Sequence, residues 1–253
     1  IRIGEGGSTI GCRYNRHTDL LGESQGFITF GNSVYFSANN GTWTDENRTG
    51  SEMWRSDGTS EGTYLVKDLN PGVDSGFQGH MQVLGNHLYF MGNDGGGNGS
   101  ELWKTDGTAD GTVMVKDIRP GSQGSQAARF QLVGDNLFFF ANDGSLPSTY
   151  YYEVWKTDGT EEGTVKVISD VFPGTSSMPT AVGDIFYFQA DDDSGNGLEL
   201  WKSDGTEEGT VMVKNFRGDR DGCCGSYSYM VPTGDTLYFG AWNSSDGSSG
   251  DWR

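Results

Sequence analysis

One tryptophan-centred segment recurs along the chain and constrains its fold more than any other feature. It reads "SEMWRSDGTSEGTYLVK" from Ser51, and close copies begin at Ser100, Tyr152 and Leu198. A segment present four times predicts a scaffold element rather than one active site. A fifth tryptophan extends the series at spacings of 49, 52, 46 and 51 residues. The aligned tryptophans are Trp54, Trp103, Trp155, Trp201 and Trp252.

A second marker recurs in phase with the tryptophan. It is a Gly-Asn or Gly-Asp pair before an aromatic run that alternates as a strand does, and it begins at Gly31, Gly85, Gly134, Gly183 and Gly234. Each repeat therefore predicts four antiparallel strands: an inner strand, the aromatic strand, the tryptophan strand and a last strand after the DGTxxGT turn. Such a unit at a period of about 50 residues is typical of a β-propeller blade, because one small sheet buries its faces only against neighbours.

The predicted fold is all-β, a single five-bladed β-propeller domain of four-stranded antiparallel blades over residues 1–253. The predicted blades are 27–69, 80–118, 129–170, 179–216, and 228–253 together with 1–3. Residues 1–3 are expected to pair beside Trp252 and complete the fifth blade. This pairing of N- and C-terminal strands would close the ring and leave few exposed strand edges.

The tandem motif is similar to the ELWxxDGT repeat of extracellular bacterial and marine proteins, and the likeness covers nearly the whole chain. The number of blades resembles the five-bladed, tachylectin-2-like lectins, in architecture alone. Within the motif the tryptophan is expected to wedge between blades, and the Asp-Gly pair to form a turn whose carboxylate accepts local N–H groups. The motif also resembles the sialidase Asp-box in position, but its tryptophan precedes the aspartate, so no sialidase activity is implied. The turn aspartates are Asp57, Asp106, Asp158 and Asp204.

The charge of the chain excludes some partners. Seventeen basic residues against 35 acidic ones give a net charge of -18, which repels phosphate backbones and excludes nucleic acid as an expected partner. The excess of carboxylates suits either a solvated surface or the binding of cations. No apolar run approaches the length of a membrane span or a signal core, so membrane insertion is not expected.

Variable loops on one face are the predicted binding site. Up-and-down connectivity places the short DGTxxGT turns on one face and the loops after the aromatic strands on the other. Asn and Asp recur in those loops near aromatic residues, a combination that suits sugar hydroxyls and sugar C–H faces. The alternative is that these residues only build turns. The candidate ligand-binding residues are Asn39, Asn40, Trp43, Asn93, Asp94, Asn142, Asp143, Tyr151, Asp191, Asp192, Trp242 and Asn243.

Calcium is the one cofactor that the sequence suggests. Asp191, Asp193 and Asn196 offer hard oxygen ligands, although their spacing does not match the EF-hand loop. The alternative is a solvated acidic loop.

Catalytic residues are not predicted, and the chain is expected not to be an enzyme. The inner strands "FITF", "MQVL", "FQLV", "TAV" and "YMVP" contain no acid, whereas a glycoside hydrolase needs convergent carboxylates. The three histidines lie in unrelated phases of the repeat, and neither GxSxG nor HExxH is present. A module that binds glycans or glycoproteins is therefore the first hypothesis, a calcium-binding structural or adhesion domain the second, and a glycoside hydrolase a distant third. The oligomeric state stays open.

Sequons favour a secreted, extracellular protein, whereas the three cysteines do not settle the redox compartment. Asn47 and Asn98 are the expected glycan acceptors. Cys12 is expected to pair with Cys223 or Cys224 across the closure of the ring, where a long loop maximises the entropic effect. A strained bond between the two adjacent cysteines, and three free thiols in a reducing compartment, are the alternatives.

Overall fold

A computed structural model describes residues 26–41, 49–145, 152–174, 177–195, 197–215, 230–243 and 248–252, with the backbone alone from 241 onward. Across these ranges the chain forms antiparallel β-sheets and no helix. No helix long and apolar enough to cross a membrane occurs in the described part. The chain divides into two compact units, residues 1–128 and 129–253.

The first unit contains two four-stranded antiparallel sheets. Each runs in chain order, so the four strands predicted for a repeat are confirmed here. The first sheet contains β1 (Phe27–Phe30), β2 (Ser33–Ala38), β3 (Glu52–Ser56) and β4 (Tyr64–Lys67). The second contains β5 (Phe77–Leu84), β6 (His87–Gly92), β7 (Glu101–Thr105) and β8 (Val113–Lys116).

The second unit contains three sheets that vary the same plan. The third sheet contains β9 (Ala128–Val133), β10 (Asn136–Ala141), β11 (Glu153–Thr157) and β12 (Val165–Lys166). The fourth contains β13 (Phe172–Pro173), β14 (Thr180–Val182), β15 (Ile185–Asp191), β16 (Glu199–Ser203) and β17 (Val211–Lys214), and both β13 and β14 pair with β15. The fifth contains β18 (Met230–Thr233), β19 (Thr236–Asn243) and β20 (Ser248–Trp252). Its predicted fourth strand, residues 1–3, lies outside the described residues.

Strand register repeats from sheet to sheet. In every sheet a phenylalanine of the aromatic strand pairs with the motif tryptophan of the next strand. The sequence repeat is thus a structural repeat in all five copies. The pairs are Phe36 with Trp54, Phe90 with Trp103, Phe139 with Trp155, Phe188 with Trp201, and Phe239 with Trp252.

The core of the first unit lies between its two sheets. Tyr35 and Met53 of the first sheet pack against Leu88, Phe90 and Trp103 of the second. Consecutive sheets therefore stack face to face, because the alternation of a strand gives each sheet an apolar face on both sides. Trp103 is 5% exposed in this interface, as expected for a wedge between repeats.

The second unit stacks its sheets in the same sense. Phe138 and Phe140 of the third sheet pack against Phe186, Phe188 and Trp201 of the fourth. In the next interface, Tyr187 and Leu200 of the fourth sheet pack against Met230, Leu237 and Phe239 of the fifth.

The DGTxxGT turns are closed by their own side chains. In the second repeat Asp106 Oδ1 accepts the Thr108 main-chain N–H at 2.9 Å and the Thr108 hydroxyl at 2.7 Å. The Thr108 hydroxyl in turn accepts the Gly111 N–H at 2.9 Å. Equivalent bonds form around the other three turn aspartates, so the scaffold interpretation of this motif is confirmed.

The two glycines of this turn are required for different reasons. Gly107 has a φ of 95°, a backbone conformation that other residues rarely adopt. At Gly111 the constraint is space, since a Cβ there would collide with the Asp106 carboxylate.

Candidate functional site

The best-described variable loop is residues 93–99, between β6 and β7. Asn93 donates its main-chain N–H to Gly76 O at 2.8 Å, and Gln126 donates to Ser100 O at 3.2 Å. The loop therefore lies between the segments that connect successive sheets, here called the first crossing (residues 68–76) and the second crossing (residues 117–127). This end of the repeat is built from three adjacent loops.

The predicted binding residues of this loop also shape it. Asn93 Oδ1 accepts the Gly95 N–H at 2.8 Å, and Asp94 Oδ1 accepts the Gly96 N–H at 2.8 Å. These are consecutive Asx turns, so the alternative turn-building role of Asn and Asp is present at this position. Each turn uses one side-chain oxygen, and both side chains are partly exposed.

The fourth repeat has the same arrangement after β15. Asp191 Oδ1 accepts the Asp193 N–H at 2.8 Å, and Asp192 Oδ1 accepts the Ser194 N–H at 3.1 Å. Within the described residues, no group of three or more His, Cys, Asp or Glu side chains is arranged to hold a metal ion. Asn196, the third predicted calcium ligand, lies outside those residues, so the calcium site stays a prediction.

The first and third repeats depart from this pattern. Asn40 Oδ1 accepts the Thr49 N–H at 2.7 Å, while Asn39 Oδ1 is buried with no donor among the described residues. Asn142 is only 2% exposed, and its Oδ1 accepts the Gly144 N–H at 2.8 Å. A side chain so buried shapes its loop and does not reach a ligand.

The remaining predicted residues are placed only in part. Trp242 and Asn243 were expected in a loop, but β19 continues through both because they pair with Ser249 and Ser248 of β20. Other predicted residues lie outside the described part of the chain: Trp43, Tyr151, the acceptor Asn47, and Cys12, Cys223 and Cys224.

Four buried glutamates were not singled out from the sequence. Each begins the tryptophan strand, two residues before the tryptophan, and lies opposite an alanine or glycine in register. The small partner leaves room for the carboxylate. The recurring acid of the ELW motif was the available signal, but burial is a property of the folded state. The residues are Glu52, Glu101, Glu153 and Glu199, each at most 1% exposed.

The first two glutamates bind the crossings. Glu52 accepts the Gly76 N–H at 2.6 Å and the Leu69 N–H at 3.1 Å. Glu101 accepts the Ser125 N–H at 2.8 Å and the Ile118 N–H at 3.1 Å. Burial raises the pKa of each glutamate to about 7, although these hydrogen bonds favour the ionised form.

The third repeat balances its buried glutamate with a lysine. Lys166 Nζ lies 2.8 Å from Glu153 Oε1 and 2.6 Å from Asp143 Oδ2. Burial raises the pKa of Glu153. Burial also acts to raise the pKa of Asp143, but hydrogen bonds from Lys166 and Ser145 outweigh it and lower the pKa to about 2. Because Asp143 Oδ1 also accepts the Ser145 N–H at 2.8 Å, both of its oxygens hold the loop.

Repeated antiparallel sheets that stack face to face define this chain as an all-β repeat protein with a β-propeller-like fold. No protein-family model matches the chain, and no curated protein matches it.

Solved structures support the same fold class. One, a puromycin hydrolase, aligns at a TM-score of 0.54 and 11% identity over 88% of this chain and 36% of its own. Another, prolyl oligopeptidase B from Galerina marginata, aligns at 0.52 and 12% identity over 90% of this chain and 37% of its own. The chain thus spans about a third of the length of these structures, and at such identity the likeness shows the fold alone.

Proposed function

We propose that this chain is an ELWxxDGT-repeat, lectin-like β-propeller that binds glycans or glycoproteins outside the cell. The observation that carries the proposal is the pair of turn-forming Asn or Asp residues that recurs at the loops after β6 and β15, Asn93 with Asp94 and Asp191 with Asp192. Hydrogen bonds within the loops order these pairs before any ligand arrives, and preorganised polar groups bind at a lower entropic cost. Planar amides and carboxylates are suitable partners for sugar hydroxyls.

Residues 93–99 form the site for which the structural support is best. Asp94 is partly exposed there, and the first crossing contributes Asn70, which packs against Gly95 so closely that a Cβ would collide with its Oδ1. The close approach of main chain and amide places polar groups of the loop and of the first crossing side by side in one surface. Such a surface suits weak binding at each repeat, with avidity from several repeats.

The two buried glutamates of the first unit offer no general acid or base for catalysis. Glu52 and Glu101 bond to main-chain N–H groups and are inaccessible, so neither is placed to transfer a proton to a substrate. The two hydrolases named above share only the fold with this chain.

The complete fold that we propose is a ring of five blades, closed between the fifth and first sheets. Tyr35 belongs to the face by which the first sheet covers the second. The residue in the same register of the fifth sheet is Tyr238, which is 42% exposed beside Val231 at 43%. Conversely, the opposite face of the first sheet exposes Phe27 at 57%. Inside each unit, a face of the kind that bears Tyr35 packs against a face of the kind that bears the motif tryptophan. The fifth sheet exposes a face of the first kind and the first sheet a face of the second kind.

Glycan binding is tested with the wild type and two variants on a glycan array, followed by calorimetry of any glycan that binds. Asp94→Asn keeps the oxygen that forms the turn but removes the charge, and is expected to weaken binding about tenfold, equivalent to one lost hydrogen bond to a charged group. The matched control, Asp110→Asn, alters an exposed acid in the DGTxxGT turn of the same repeat. The proposal fails if the wild type binds no glycan.

Two further glycan-array experiments separate the lectin from the calcium-binding domain and the glycoside hydrolase. Loss of binding in chelator would support a calcium-dependent adhesion domain, with Asp191, Asp193 and Asn196 as the metal ligands. Hydrolysis of a bound glycan would instead support the glycoside hydrolase.

Secretion is tested by mass spectrometry of the protein from its native source. Glycan at Asn47 or Asn98, together with a bond from Cys12 to Cys223 or Cys224 in non-reducing peptide maps, would support an extracellular location. A bare polypeptide with three free thiols would contradict it.

A further inference from the structure

Each of the first two buried glutamates faces an aspartate of the crossing that follows its sheet. Met53 pairs with Lys67 in register. The strands are antiparallel, so Glu52, which precedes Met53, lies opposite Asp68, which follows Lys67. Leu102 pairs with Lys116, which places Asp117 opposite Glu101 in the same way.

These aspartates have a buried oxygen that lacks a donor. Asp68 Oδ1 and Asp117 Oδ1 are both buried, and nothing in the described part of the chain donates a hydrogen bond to either. A buried acceptor without a donor costs free energy, so a proton donated to either oxygen would stabilise it. The charge on Asp68 also acts directly on Glu52 and disfavours its ionisation.

Two cations near these glutamates, Lys67 and Arg119, bond to other groups through their side chains. Lys67 lines the same small cavity as Glu52, but its Nζ donates to Thr112 O at 2.8 Å. The guanidinium of Arg119 donates to the Gln123 side chain, while only its main-chain N–H reaches Glu101. Of the bonds that the structure describes to these two carboxylates, none comes from a lysine or arginine side chain.

The third repeat supplies a natural contrast. Val167 and Val66 are both buried, so the last strand of the third repeat aligns with the last strand of the first. In this alignment Ser169 occupies the position of Asp68. This repeat lacks the aspartate, and Lys166 provides the positive charge instead. In the third repeat, therefore, a lysine binds the buried glutamate and no aspartate occupies the position of Asp68.

We propose that Glu52 with Asp68, and Glu101 with Asp117, each hold one shared proton, which the glutamate carboxyl donates to the buried aspartate oxygen. The proton takes the place that Lys166 has in the third repeat. The other glutamate oxygen still accepts a main-chain N–H of the crossing, so the protonated pair keeps the crossing closed.

The direction of the pH effect follows from linkage. The pKa of both glutamates is about 7 in the closed state, above the ordinary value of 4.5 expected once a crossing opens. The pairs therefore stabilise the closed crossings fully below pH 4.5, and this contribution is lost as pH rises through 7. Opening is expected to increase at least tenfold across this window, since one pKa unit corresponds to a factor of ten.

The first test is carbon-13 NMR of side-chain carboxyls between pH 4 and 9. Glu52 is expected to titrate near neutrality in the wild type and at least one pH unit lower in Asp68→Asn. Asparagine is chosen because the fourth repeat has Asn215 at this position. Asp74→Asn, an exposed acid of the same crossing, is the control and should leave the titration unchanged.

Amide hydrogen exchange gives a second readout in the unmodified protein. After correction for intrinsic rates, protection of the Leu69 and Gly76 amides should fall about tenfold or more from pH 5 to pH 7.5. Titration of Glu52 in the ordinary carboxyl range would overturn the proposal. A titration that shifts when chelator is added would also overturn it, since a bridging cation would then replace the proton.

Discussion

A single turn aspartate shows how closely residue identity and local structure are linked. Asp106 holds the Thr108 N–H and hydroxyl, and its carboxylate occupies the space beside Gly111 that any side chain would need. Hydrogen bonding from Thr108 lowers the pKa of Asp106, so the ionised form closes the turn. The same set of contacts at four turns explains why the DGTxxGT pattern contains two invariably placed glycines.

Gly111→Ala is expected to lower the free energy of unfolding by about 1–3 kcal/mol, because the new methyl group overpacks the turn. Urea unfolding measures the loss. In the background of Asp106→Ala the same substitution should cost much less, since the colliding carboxylate is gone. Equal costs in both backgrounds would show that crowding by Asp106 is not the cause.

At the scale of the strand, alternation decides what a substitution does. Lys166 stands on β12 at the register position of Leu65 and Met114, as its pairing with Trp155 shows. A lysine is tolerated there because Glu153 and Asp143 end on the same side of the sheet and bind its ammonium. One position on one strand therefore converts an apolar contact into a link between the outer strand and the variable loop.

Lys166→Met restores the residue type of the second repeat, yet we expect a loss of about 2 kcal/mol, because Glu153 is left buried without its cation. Chemical denaturation at pH 7 measures this loss. The wild type should also lose stability as pH falls from about 4 towards 2, since the pKa of Asp143 lies at about 2, below its ordinary 3.8. This acid step should shrink in the variant, and an unchanged step would contradict the assignment.

At the scale of the whole molecule, the exposed faces of the first and fifth sheets bear on whether the sheets close into a ring. Within each unit, sheets cover one another through a tyrosine or phenylalanine face on one side and a tryptophan face on the other. Interfaces of this head-to-tail kind either close into a ring or continue, because each sheet presents both faces. The closed ring that we propose would cover the exposed residues of both end sheets, Phe27 on the first and Tyr238 on the fifth.

Phe27→Asp distinguishes a covered face from an open one. If the five blades close into a ring, this variant is expected to lower the free energy of unfolding by about 3 kcal/mol, because a charge would replace a buried aromatic side chain. The control is Val113→Asp on the outer strand β8, where the side chain is 40% exposed and a change of about 1 kcal/mol or less is expected. Similar costs for the two variants would mean that Phe27 faces solvent and that the ring does not close over it.

The sequence by itself determined the repeat, the order of its strands and the turn chemistry. These follow from local rules: Gly-Asn pairs turn, alternating aromatics form half-buried strands, and Asp-Gly-Thr closes on its own backbone. The pairing of Phe90 with Trp103 could also be expected, because each repeat has a phenylalanine and a tryptophan at matching positions on either side of the loop. The sequence could not decide between two roles for Asn93 and Asp94, because the residue types that build turns also bind sugar hydroxyls.

Only the tertiary structure decided which acids are buried and what balances their charge. Glu52 looks like any surface glutamate in the sequence, yet it is buried and accepts a hydrogen bond from the first crossing at Leu69, seventeen residues later. Its burial depends on a neighbouring small residue, Ala38, and on main-chain N–H groups brought in by the fold. Desolvation and Coulombic energies depend on distances between segments that are remote in sequence, so no local pattern encodes them.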